Sequence, residues 1–198
     1  KTNYRTDKLL SNLNRLNKLI RDAEAPRIFI RHSNKGLLKR ETPGWELHPR
    51  LDRREDEPVV DKERASGFDN TPLHEMLQAR GVRTVVVTGL TTNGCVNMTC
   101  KSALAHSYRT LLVADGHSSF HPEAAKLIDI WNDKLSNRGV ELVSAPPAIE
   151  GGALQTAPIA FQRRPSARHD RVAPDGEFGH RWQGKKAPDL GRQCSAVD

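Results

Sequence analysis

A lone thiol stands where a strand pattern turns into a helix pattern. Residues 85–115 read VVVTGLTTNGCVNMTCKSALAHSYRTLLVAD. The β-branched run Val85, Val86 and Val87 stops at Gly89, a short polar turn follows, and Cys95 opens a helical pattern with Val96, Thr99 and Ala103 on one side. A second apolar run, Leu111 to Ala114, begins after that helix, so the segment reads strand–turn–helix–strand. Exposed backbone N–H groups and the positive end of the helix dipole favour a thiolate at such a corner. The chemistry to expect is nucleophilic attack by sulfur, and the alternative is a structural cysteine. Cys100 lies five residues on, about 140° around the helix, and reads as a packing residue.

Other side chains with chemical potential are scattered. His32 and His48 are able to bind a metal, but isolated loop histidines are usually solvated, and no metal site is expected. Asp61 adjoins Lys62, yet neighbours in an extended segment point to opposite faces. Asp115, His117 and Ser118 follow the strand at 110–114, at the edge where parallel sheets place their sites, although His117 and Ser118 also suit the cap of the next helix.

Positioning these residues requires an alternation of strands and helices. Leu9, Leu13, Leu16 and Ile20 recur at helical spacing with Thr6 or Asp7 available as cap, which predicts a helix over 7–24. A short strand over 27–31 follows Pro26, and residues 33–57 read as a long, charged loop. Val59 and Val60 mark a brief strand running into Lys62; Thr71–Pro72 and Gly81 bracket a helix over 72–80. After the cysteine unit, His121 and Pro122 open a helix whose buried side carries Leu127, Ile128, Trp131 and Leu135, and Val140 to Val143 is a last strand. Such alternation predicts an α/β sandwich of three layers on a mainly parallel sheet. The pattern ends near residue 148, so one domain is expected over 1–150. A Gly/Pro/Arg-rich tail over 151–198 is expected to be disordered, with Phe161, Phe178 and Trp182 as its aromatics.

Composition narrows the function classes. The 198 residues suffice for a sizeable core, and the hydrophobic share of 36% is low enough to suggest that part of the chain is unpacked. No apolar run approaches the roughly 20 residues of a membrane span, so no membrane association is expected. Cys95, Cys100 and Cys194 form neither a disulfide framework nor a zinc pattern, which points to a reducing cytoplasm. The net charge of +7 is spread among acids without a basic, aromatic-interleaved stripe, so no nucleic-acid partner is expected. The first residue is Lys, which suggests a processed or incomplete chain.

Three segments carry a resemblance. They are PGWELHPRL at 43–51, VVDKERASGFDNTPLHEMLQARGV at 59–82, and TGLTTNGCVNMTCKSALAHSYRTLLVADGHSSF at 88–120. Together they resemble the isochorismatase-like cysteine hydrolases, a superfamily that includes nicotinamidases, N-carbamoylsarcosine amidases and ureidoacrylate amidases, over about residues 5–145. The resemblance implies a Cys–Lys–Asp triad in which Cys95 attacks a carbonyl to give a thioester and Lys62 stabilises the developing charge. It also implies a cis Leu90–Thr91 peptide, an oxyanion hole from the Thr91 and Cys95 N–H groups, and Phe68 and Trp45 as pocket residues. Ordinary core packing is the other reading of Phe68 and Trp45. The Asp-x-His metal cluster of nicotinamidases has no counterpart after Arg31–His32, and no cofactor is implied. The family's general-base aspartate sits on a central first strand before the first helix, and Lys1 to Thr6 offers neither apolar run nor acid. That strand is therefore expected to be missing, because an upstream segment carries it or because the protein is a degenerate relative; the intact remainder favours the former. The implied activity is hydrolysis of a C–N bond in a small amide or ureide by a homo-oligomer. The alternatives are a vinyl-ether hydrolase of the isochorismatase type, or a catalytically dead member serving as a binding or oligomerisation module.

Overall fold

The computed structural model describes residues 3–147, and the tail expected over 151–198 lies outside them. In chain order the elements are α1 (Thr6–Asp22), β1 (Phe29–His32), β2 (Val59–Lys62), α2 (Leu73–Ala79) and β3 (Thr84–Leu90). A π-helical turn (Thr92–Val96), α3 (Asn97–Ala105), β4 (Arg109–Ser118), α4 (Ala124–Ser136) and β5 (Glu141–Val143) complete the order. Every strand pairing is parallel, as expected for an α/β chain in which a helix returns each strand to the same end.

The ladders form two groups, β1–β2 and β3–β4–β5. Within the described residues no strand pairs with the free edges of β1 and β3. β4 is the best-buried strand. Leu112 turns towards α3 and α4, in a core cluster with Val87, Val96, Cys100, Leu135 and Val140. Its neighbours Leu111 and Val113 are buried on the other face of the sheet. A second cluster of Phe68, Leu73, Leu77, Ala103 and Tyr108 packs α2 and α3 together, with Ile30 of β1 and Val85 of β3 against it. That cluster ties the two ladders together where they share no hydrogen bonds.

Two sequence expectations are corrected. Neither Thr6 nor Asp7 caps α1: the cap position is Arg5, the Thr6 hydroxyl donates back to Asn3, and Asp7 pairs with Arg50. β4 does not stop at Ala114 but runs to Ser118, because pairing with β3 resumes beyond a bulge, with Gly89 opposite His117 and Leu90 opposite Ser118. Gly89 adopts φ +111° at this bulge, a backbone conformation that side-chain-bearing residues avoid. His117 and Ser118 are thus strand residues rather than caps, and Glu123 occupies the cap position of α4. Among the described residues no helix is long and apolar enough to cross a membrane.

Candidate active site

Parallel pairing of β1 and β2 sets Arg31 opposite Asp61 and His32 opposite Lys62. Successive strand residues alternate faces, so these two pairs point away from each other. Arg31 and Asp61 form an ion pair at 2.8 Å, and the Arg31 guanidinium holds the Asp61 carboxyl below the usual carboxylate range. On the other face Lys62 is buried at 5% exposure, its Nζ 3.0 Å from His32 Nδ1 and 3.2 Å from Cys95 Sγ. The residues after β2 fold back over this ammonium, which donates to the carbonyls of Arg64 at 2.7 Å and Ala65 at 3.0 Å. The same segment is fastened to α3: Gly67 N donates to Thr99 Oγ1 at 2.9 Å, and Ser66 Oγ to Ser102 Oγ at 2.8 Å. Thr99 lies one helical turn beyond Cys95, so this fastening fixes the lysine against the helix that carries the thiol.

Cys95 itself sits in the π-helical turn between β3 and α3 and is half-buried. The Leu90–Thr91 peptide that opens the turn is cis, as the resemblance implied. Thr91 O accepts from both Gly94 N and Val96 N, each at 3.1 Å, and this closes the backbone around the sulfur. Behind the turn, Thr92 is fully buried and its hydroxyl meets His117 Nδ1 at 2.9 Å. His117 Nε2 meets Asn132 Oδ1 of α4, also at 2.9 Å, and Asn132 Nδ2 donates to Ala114 O. Because that amide nitrogen faces a carbonyl, Oδ1 must accept; Nε2 then carries the hydrogen and Nδ1 takes the Thr92 proton. Burial holds the His117 imidazole below its usual range, as this neutral arrangement requires. Cys100, in contrast, is fully enclosed, and burial pushes its thiol up to about 12.

The structure brings Cys95 and Lys62 together and disperses the other candidates. Phe68 lies in the second core cluster, its ring 5.1 Å from that of His106 and 5.8 Å from that of Tyr108. Trp45 stacks on the Arg31 guanidinium at 3.3 Å, and Arg31 belongs to the face of β1–β2 turned away from Lys62. Its loop, Glu41–Pro49, lines an open concavity of about 820 Å³ to which neither Cys95 nor Lys62 contributes. His48 is exposed on this loop and His32 faces an ammonium; among the described residues no three His, Cys, Asp or Glu side chains converge on one point. Asp115 is a tether rather than a neighbour of the thiol: it accepts from Asn12 Nδ2 and from Ala145 N, each at 2.8 Å. Within the described residues no carboxylate hydrogen-bonds to Cys95 Sγ or Lys62 Nζ.

Sequence reasoning did not find His32 as the lysine's partner, nor the Thr92–His117–Asn132 chain. The first was readable from two adjacent strands that both end in a polar residue. The second depends on the extension of β4, for which the sequence carries no apolar signal.

Comparison with known proteins agrees with this geometry. A family model described as the isochorismatase domain matches residues 1–145. The chain is 36% identical over 101 residues to streptothricin hydrolase of Streptomyces noursei, covering 50% of this chain and 40% of that protein. It is 40% identical over 91 residues to ureidoacrylate amidohydrolase of Methylorubrum extorquens, covering 46% of this chain and 37% of that protein. The chain thus spans about two fifths of the length of these curated relatives. Its fold superposes on a crystallographic isochorismatase-like hydrolase from Alkaliphilus metalliredigens with a TM-score of 0.64 at 27% identity, over 70% of this chain and 81% of that one. With the isochorismatase domain model matched over residues 1–145, on parallel α/β ladders, the chain belongs to the isochorismatase family.

Proposed function

We propose that this protein is a cysteine hydrolase that cleaves a C–N bond in a small amide or ureide. The observation that carries the reading is the 3.2 Å contact between Cys95 Sγ and the buried Lys62 ammonium. A buried cation without an anion is costly, and its other partners among the described residues, His32 and two backbone carbonyls, are neutral acceptors. Among the described residues the sulfur is the one group at Lys62 Nζ able to carry the compensating charge, and a thiolate is the nucleophilic form of cysteine.

In this reading the thiolate attacks the substrate carbonyl, and the tetrahedral oxyanion is met by the Thr91 and Cys95 N–H groups. The C–N bond breaks as the leaving nitrogen takes a proton from solvent water, and a second water then attacks the thioester carbonyl, releasing the carboxylic acid and restoring the Cys95 thiolate. Loss of one oxyanion donor typically costs about a hundred- to a thousandfold in rate. Phe68 supports the site from the core, where its N–H donates to the Ser66 hydroxyl that is fastened to α3. The amidohydrolase names of the relatives support the choice of an amide over a vinyl ether. A second reading, a catalytically silent binding module, is favoured by the absence of a carboxylate on Cys95 or Lys62 within the described residues. A panel of small amides and ureides separates the two. Turnover is expected with wild type and less than about a thousandth of it with Cys95→Ala. Turnover that survives the substitution refutes the thioester route, and none from wild type favours the binding module.

A further inference from the structure

Lys62 Nζ has four acceptors within hydrogen-bonding distance and three hydrogens to give. They are Arg64 O at 2.7 Å, Ala65 O at 3.0 Å, His32 Nδ1 at 3.0 Å and Cys95 Sγ at 3.2 Å. An ammonium donates only, so His32 must present the Nδ1 lone pair and carry its hydrogen on Nε2. Burial and the Lys62 charge both hold the imidazole below its usual range, which keeps that lone pair available near neutral pH. The pair is also fixed by backbone, since His32 and Lys62 occupy matched positions on paired strands.

We propose that His32 is a positioning residue that competes with Cys95 for the hydrogens of Lys62 and so sets how tightly the thiolate is held. The proposal rests on Cys95 and Lys62 being the reactive pair. With His32 and two carbonyls in place, the sulfur receives a shared hydrogen. Removing His32 gives the sulfur a hydrogen of its own. The thiolate then forms at lower pH but attacks more slowly, because thiolate nucleophilicity falls as basicity falls, with a slope of about 0.4–0.5. The two changes have opposite effects on the rate, a signature that mere loosening of the site would not produce. The other charged groups around His32 remain in every variant. Arg40 reaches Ser33 Oγ at 3.3 Å and Glu63 at 3.2 Å, and Arg31 and Asp61 pair on the far face of the ladder.

The test is the pH dependence of Cys95 alkylation by iodoacetamide in the full chain, read by peptide mass spectrometry for wild type, His32→Leu and His32→Asn. Unmodified Cys100 reports that each variant is folded. His32→Leu should reach half its plateau rate at a lower pH than wild type, with a plateau about threefold lower for each pH unit of that shift. His32→Asn, whose Oδ1 takes the place of Nδ1 as acceptor, should follow the wild-type curve. If His32→Leu exposes Cys100, His32→Ala replaces it with the same expectation, since it too removes the acceptor. A coincident curve, or one displaced to higher pH, overturns the role of His32 alone. Wild-type Cys95 reacting no faster than Cys100 overturns the reactive pair, and the proposal with it.

Discussion

Replacing His117 by Leu removes the middle of the hydrogen-bond chain that links α4 to the turn bearing Cys95. His117 is 3% exposed and Thr92 is fully enclosed, so a stranded Thr92 hydroxyl has no water to turn to. A buried polar group without a partner costs about 1–3 kcal/mol. Asn132 is only half-buried and finds solvent, so its lost bond is worth about 1 kcal/mol. The sum is about 2–4 kcal/mol, and leucine's similar volume adds little cavity cost. At a mid-range urea slope of about 2 kcal/mol per molar, the midpoint should fall by roughly 1–2 M with the slope unchanged. Thr92→Val removes the same hydroxyl, so the double variant should cost less than the two singles together, by at least about 0.5 kcal/mol. The acid limb offers a second check. Burial depresses the folded His117 value below its ordinary 6.5, so the folded state binds this proton more weakly than the unfolded chain. The resulting stability is complete above about pH 6.5 and is lost as pH falls through the folded value; His32, depressed by burial and by Lys62, acts in the same sense. His117→Leu should therefore lose less stability than wild type between pH 6.5 and 5. A variant within about 0.5 kcal/mol of wild type at neutral pH, or an unchanged acid slope, refutes the tautomer chain.

Lys62→Met should slow Cys95 alkylation at pH 7.5 by about threefold or more: a unit charge 3.2 Å away is worth about 1.3 kcal/mol even at the dielectric of water, about a tenfold loss of thiolate, of which the greater nucleophilicity of a more basic sulfur returns about threefold; equal rates in stopped-time alkylation would show that the ammonium does nothing for the sulfur. Leu112→Ala, at a fully buried position between β4 and the α3–α4 layer, should cost about 2–5 kcal/mol in urea unfolding, and a cost below 1 kcal/mol would mean that this cluster is not the core.

The parts legible in the sequence are those whose signals are local. Val85–Val87 and Leu111–Ala114 announce strands through β-branched and apolar runs, and Gly81 ends α2 with a positive φ; Gly89, which reads as a strand stop, is instead the bulge within β3, which runs on to Leu90. The thiol at the corner is legible for the same reason, since strand, polar turn and helix follow one another within a dozen residues. What was not legible is decided by partners distant in sequence. Asp115 through Ser118 read as a strand exit, but the hydrogen bonds of β3 beyond its bulge hold them extended. Phe68 falls within a motif segment, yet the same apolar ring satisfies the core beside Tyr108. Trp45 finds the flat guanidinium of Arg31, a contact that required knowing which way β1 turns its side chains.

Parallel topology explains why the site assembles from such short strands. Each parallel strand brings its carboxyl end to the same edge of its ladder, so the last residues of neighbouring strands become neighbours themselves. His32 closes β1, Lys62 closes β2, and Leu90 closes β3 one residue before the turn that bears the thiol. His117 and Ser118 close β4 behind that turn. One face of the sheet edge therefore supplies lysine, imidazole and sulfur without any of them being adjacent in the chain. Between β1 and β3 no ladder bond is made within the described residues, so their relative placement rests on the Phe68 cluster, the Ser66–Gly67 fastening and the Lys62 contacts. The ammonium is thus both electrostatic partner and structural tie: it joins the end of β2 to the turn after β3 where the backbone leaves a gap. A site built this way couples reactivity to the spacing of two ladders, and any strand or ligand that settles between them would act on Cys95 through Lys62.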